Sequence, residues 1–137
     1  MQDADEIRET VELVRAWAEA RDDVRAVALV GSWARDAPKI DSDIDIVVLT
    51  DEPAAYVESK DWIGGLGGVS VIRTRRWGVL IERRLMTERG VELDVGFVGP
   101  EWAATDPVDA GTRKVATEGL VALHDPHGLL AKLLAAL

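Results

Sequence analysis

Apolar residues at Ile7, Val11, Val14, Trp17 and Ala18 recur at the spacing of one helical face, which predicts an opening amphipathic helix. Asp3 with Glu6 three positions on has the form of a capping pair, and the polar run Arg21-Asp22-Asp23 closes the helix. The mostly apolar run over 24–30, interrupted by Arg25, then reads as a buried strand that ends at Gly31, with one helical turn after Ser32 and a polar loop over 36–39. A second strand is expected over 43–49. Thr50-Asp51-Glu52-Pro53 signals a helix start, with a short helix over 54–60. Residues 79–87 and 91–98 flank Glu88-Arg89-Gly90 and predict an antiparallel hairpin that brings Glu82 and Arg84 towards Asp94. After a short helix and loop over 102–111, a last strand is expected within 114–123, broken by Gly119. Asp125-Pro126-His127-Gly128 opens a terminal helix whose Leu129, Leu130, Leu133, Leu134 and Leu137 form an apolar stripe, suited to the core or to a partner. Together these elements predict an α+β fold, an α/β sandwich in which helices pack on one face of a mixed sheet and the site lies at a sheet edge.

Four glycines and a leucine change little in this picture. Gly64-Gly65-Leu66-Gly67-Gly68 lacks the Lys-Ser/Thr that ends a phosphate-binding P-loop, and a strand pattern beginning at Val69 follows it where a dinucleotide fingerprint opens a helix. It reads as a flexible connection.

With 137 residues the chain is expected to form one domain, 1–137. No apolar run approaches the ~20 residues of a membrane span, and the acidic start Met-Gln-Asp-Ala-Asp-Glu is unlike a signal peptide, so a cytoplasmic protein is expected. There is no cysteine, and the two histidines are His124 and His127, so any catalytic metal is expected to be bound through oxygen. A net charge of −9 argues against broad nucleic-acid binding. Arg73, Arg75, Arg76, Arg83, Arg84 and Arg89 either line a groove for an anion or neutralise neighbouring acids.

The chemistry concentrates around Gly31. A residue without a side chain lets backbone N–H groups approach an anion, and Ser32 adds a hydroxyl donor. On a strand over 43–49, Asp43 and Asp45 point to one face while Ile44 and Ile46 point to the other. Paired carboxylates on one face can hold Mg2+ ions that also grip a triphosphate, and without a cation they repel each other. The plainer alternative makes Asp43 a loop cap. Glu82 is expected in a surface salt bridge, and Trp62, Trp77 and Trp102 in core or lid positions rather than under a nucleobase.

Gly31-Ser32, ten intervening residues and then Asp43-x-Asp45 resembles the signature of the nucleotidyltransferase superfamily typified by DNA polymerase beta, especially its minimal and antibiotic-modifying, aminoglycoside-type adenylyltransferase branches. The resemblance implies a third acid on a later strand, and Asp94 within Val91-Glu92-Leu93-Asp94-Val95 is the candidate; the plainer alternative pairs it with an arginine on an exposed strand. It further implies that Asp43, Asp45 and Asp94 ligate two Mg2+ ions, with Asp94 also taking the acceptor's proton. Gly31, Ser32 and Arg35 would hold the phosphates of an NTP, expected to be ATP. Asp36 stands where the family often has a glycine. The implied reaction moves AMP to a hydroxyl on a small molecule or protein, with the acceptor left open and a homodimer able to complete its pocket. Two other functions fit the same residues: an antitoxin that binds or adenylylates a helical toxin partner, and a nucleotide-binding module without turnover.

Overall fold

The computed structural model describes residues 4–34 and 43–137. Its layering follows from two strands that are apolar on both sides. β1 (Val24–Val30) is buried at every position except Arg25, and β2 (Ile44–Thr50) at every position except Asp45. Strands of that kind need cover above and below. They lie inside a six-stranded sheet with β3 (Gly68–Trp77), β4 (Leu80–Thr87), β5 (Glu92–Val98) and β6 (Leu120–His124), in the order β3-β4-β5-β2-β1-β6. β2 and β5 run parallel and the other neighbours antiparallel, which makes the sheet mixed, as expected.

Alternation along the strands sorts their side chains between two cores. On one face Val27 and Leu29 of β1, Ile46 and Val48 of β2, and Val95 and Phe97 of β5 pack beneath α1 (Ala4–Glu19) and α3 (Ala55–Glu58). The aromatic centre of this layer is Tyr56 stacked on Phe97 at 4.5 Å, with Trp62 edge-on to both rings. On the other face Ala28, Val30, Val47 and Leu49 meet Trp102 and the helices α4 (Ala110–Glu118) and α5 (Leu129–Ala135). The fold class is the expected α+β mixed sheet, but helices cover both faces rather than one. The burial of β1 and β2 on both sides is the physical reason, because a sheet left bare on one side would have exposed half of each run.

The segment expected as a strand within 114–123 is a helix up to Glu118. Asp109 caps it by accepting a hydrogen bond from the Thr112 backbone N–H at 3.1 Å, and Thr112 Oγ1 donates to the Trp102 carbonyl. Gly119 ends it with a φ of 146°, and β6 follows at once as an edge strand against β1. The opening helix, β1, the hairpin of β4 and β5, and the terminal helix form where the apolar pattern put them. The helix expected over 54–60 shortens to Ala55–Glu58, and β3 extends to Trp77. No helix among the described residues is long and apolar enough to cross a membrane.

Candidate functional site

Parallel pairing of β2 with β5 sets Asp45 directly beside Asp94. Both project to the face that carries Val47 and Gly96, opposite to Ile46 and Val95, so the alternation expected from the sequence holds. Asp43 immediately precedes β2 on the same parity. The three candidate acids therefore gather at one end of the two central strands.

β1 delivers the fourth element. Val30 pairs with Asp45, and the next residue, Gly31, begins the single turn α2 (Gly31–Ala34) with a φ of 75°. A side chain at this position would place its Cβ 2.5 Å from Asp45 Oδ2. The backbone can pass this close to the carboxylate because residue 31 is glycine. Ser32 sits in the same turn. Arg35 and Asp36 lie outside the described residues.

Charge in this cluster is unevenly balanced. Burial pushes the Asp45 carboxyl up to about 7, and the neighbouring charge of Asp94, to which it is hydrogen-bonded, adds to the effect. A hydrogen bond between two carboxyls needs a proton on one of them, so at neutral pH the pair is short of positive charge. Asp43 is also raised, first by burial, while Arg84 pulls the other way. Arg84 faces Asp94 across the hairpin and grips it with both arms of its fork, Nε donating to Oδ1 at 2.7 Å and Nη2 to Oδ2 at 2.6 Å. The same Nη2 reaches Asp43 Oδ2 at 2.9 Å, and Nη1 lies 3.8 Å from Glu92 Oε1.

These residues suit a hard divalent cation in donor type, since every candidate ligand is a carboxylate oxygen, and such an ion would relieve the burial and like-charge repulsion that raise the Asp45 carboxyl. The donors are not assembled into a cage. Among the described residues no three acidic, histidine or cysteine side chains converge as a ready-made metal site. Asp43 and Asp94 instead turn their oxygens to Arg84.

A cavity of about 300 Å³ opens over Gly31, Asp45 and Asp94, walled by Glu82, Trp102 and Glu118. A larger one, about 650 Å³, lies between α1 and the turn joining β4 to β5, and none of the candidate site residues lines it. Glu82 makes the expected ion pair, 3.3 Å from Arg73, and belongs to the cavity wall as well. Trp62 is a core residue whose Nε1 donates to the carbonyls of Tyr56 and Ser59, Trp102 is buried in the cavity wall, and Trp77 is exposed on the edge strand. Arg83 points away from the site and donates to the Tyr56 carbonyl at 2.8 Å, while Arg89 pairs with Glu9. Within the arginine cluster Arg73, Arg84 and Arg89 thus pair with local acids, and Arg83 bonds a carbonyl. Glu118 carried no signal in the sequence, because its position in the wall depends on where α4 ends. Arg84 had a partial one, the hairpin centred on Glu88-Arg89-Gly90.

The sequence model of the streptomycin adenylyltransferase family matches residues 4–87, a span that contains Gly31, Ser32, Asp43 and Asp45 and ends before Asp94. Comparison with curated protein sequences gave no match. Among solved structures the chain shares its fold with a cytoplasmic RNA terminal U-transferase, at 19% identity and a TM-score of 0.51 over 68% of this chain and 28% of that one. The polymerase core of the TRAMP RNA surveillance complex matches at 17% identity and a TM-score of 0.51, over 70% and 32%. An aminoglycoside 6-adenyltransferase from Bacillus subtilis matches at 13% identity and a TM-score of 0.50, over 88% and 41%. The chain therefore spans between 28% and 41% of the length of these three structures.

Proposed function

Because the chain belongs to the streptomycin adenylyltransferase family, we propose that it transfers AMP from ATP to a hydroxyl of an amine-bearing polyol of the aminoglycoside kind. The observation that carries this reading is the in-register pair Asp45 and Asp94 lying against the side-chain-free Gly31 at the floor of a cavity.

Nucleotidyl transfer brings a nucleophilic oxygen to an α-phosphorus that is already surrounded by negative charge, so the site has to supply positive charge and orientation. Asp45 and Asp94, with Asp43 beside them, would hold Mg2+. Bound there, Mg2+ would supply positive charge to the attacking and leaving oxygens. Gly31 leaves its backbone open to the β- and γ-phosphates, and Ser32 Oγ donates to them. Asp94 takes the proton from the acceptor hydroxyl as that oxygen forms its bond to phosphorus and pyrophosphate leaves. Glu82 and Glu118 give the cavity wall a negative charge that suits an acceptor carrying ammonium groups.

The test is transfer of label from ATP marked at the α-phosphate, in the presence of Mg2+, to a panel of aminoglycosides, with GTP, CTP and UTP as competitors. Labelled acceptor and released pyrophosphate are expected for the wild type, with GTP, CTP and UTP competing only weakly, and neither product for Asp45→Asn. Labelling of no aminoglycoside by a protein that binds ATP and Mg2+ would overturn the acceptor assignment. Preference for UTP would overturn the nucleotide.

A further inference from the structure

Arg84 occupies the oxygens that a metal would need. Its Nε and Nη2 engage both oxygens of Asp94, and Nη2 is shared with Asp43, so one guanidinium satisfies two of the three candidate ligands at 2.6 to 2.9 Å. The side chain is well shielded, 19% exposed, and those of Asp94 and Asp43 are 13% and 27% exposed, so water competes weakly for these bonds. Among the described residues Asp45 has no guanidinium bond of this kind; it lies against Asp94 and feels Arg84 only at a distance.

We infer that Arg84 is a positioning residue that acts as a resident counter-cation, holding Asp43 and Asp94 until a divalent ion displaces it from one of them. This rests on the metal-binding role given to these carboxylates under the proposed function and goes beyond it. The consequence is a metal site that fills in company. An ion arriving alone finds Asp45 available but has to break a bidentate, charge-assisted pair to gain Asp94, whereas an ion arriving with a triphosphate brings anionic oxygens that complete its coordination and give the released guanidinium a new partner. Without Arg84, three to four carboxylates, counting Glu92, would face one another uncompensated in a partly buried layer.

The measurement is Mn2+ binding to the metal-stripped 137-residue chain without nucleotide, followed by electron paramagnetic resonance. Arg84→Gln removes the competitor and is expected to bind Mn2+ about tenfold tighter or more than the wild type, the scale of a lost charged hydrogen bond. Arg84→Lys keeps the charge but cannot fork onto both oxygens of Asp94, and is expected to fall between the two. Arg73→Gln removes an equal charge from the same sheet face without touching Asp43 or Asp94, and is expected to change binding by about twofold or less. Equal or weaker binding by Arg84→Gln overturns the inference, as does an equal gain in Arg73→Gln, which would mean a general field effect. If Arg84→Gln does not fold by circular dichroism, Arg84→Lys decides alone, with tighter binding as support and unchanged binding as refutation. Asp45→Asn separates the two levels. Mn2+ binding that survives it overturns the metal site and this role together; binding lost in Asp45→Asn but not tightened at Arg84 overturns only the role of Arg84.

Discussion

At the scale of single residues the site is defined by what cannot be changed at Gly31. Its φ of 75° disfavours any L side chain, and a Cβ would meet Asp45 Oδ2 at 2.5 Å. Gly31→Ala is expected to lower stability by about 1–3 kcal/mol and to abolish Mg2+-dependent ATP binding, measured by denaturant melts and calorimetry. Asp45 makes the opposite trade. Its carboxyl ionises near 7 in the folded chain against about 3.9 unfolded, so the folded state holds a proton across that interval that the unfolded state has released. Stability linked to this group is complete below about pH 4 and is lost as pH rises through 7. Asp45→Asn should therefore melt higher than the wild type at pH 8 in metal-free buffer and at about the same temperature near pH 4, while losing transfer activity.

Among elements, the junction of α3 with the start of β1 and the end of β2 rests on one carboxylate. Asp23 accepts hydrogen bonds from Thr50 Oγ1 at 2.7 Å and from Tyr56 OH at 2.5 Å, and Arg21 donates to the same phenol oxygen. Burial raises the Asp23 carboxyl, but these hydrogen bonds outweigh it and the net effect is a lowered value. The stability it contributes is present above its unfolded value near 3.9 and disappears as pH falls through the lower folded one. Tyr56→Phe is expected to cost about 1.5–3 kcal/mol at pH 7 and less at pH 2, by urea titration at each pH. On the other face α5 is held by Leu130 and Leu133, both fully buried, and Leu133→Ala is expected to cost about 2–5 kcal/mol. A loss within the surface range of about 0.5 kcal/mol would mean that α5 packs loosely on β1.

For the whole molecule, the central charge deficit couples metal to pH. A divalent ion at Asp45 has to displace the proton on its carboxyl, so Mn2+ affinity is expected to rise from pH 6 to pH 8 and level off above the Asp45 value of about 7. Calorimetry in buffers of different ionisation heat would count the protons released, and pH-independent binding would place the ion elsewhere. The net charge of −9 fits the same balance, since a molecule rich in acids can afford to hold several together only where Arg84 or a cation compensates them.

Much of this was local and therefore written in the chain. Helical spacing in 7–18 and the mostly apolar runs over 24–30 and 43–49 determined α1, β1 and β2, and strand alternation set the shared face of Asp43 and Asp45. Gly31-Ser32 and Asp43-x-Asp45 carried the family resemblance, and the family model matches the segment that holds them. Which strands become neighbours is not local. The parallel pairing that sets Asp45 beside Asp94, the register that aims Arg84 at Asp94 and Asp43, and the helix end that brings Glu118 to the cavity each depend on segments far apart in sequence. Alternation fixes the face on which a side chain lies, but contact across strands is fixed only when the sheet chooses its order and register, and a slip of one residue would have turned Arg84 into the opposite core.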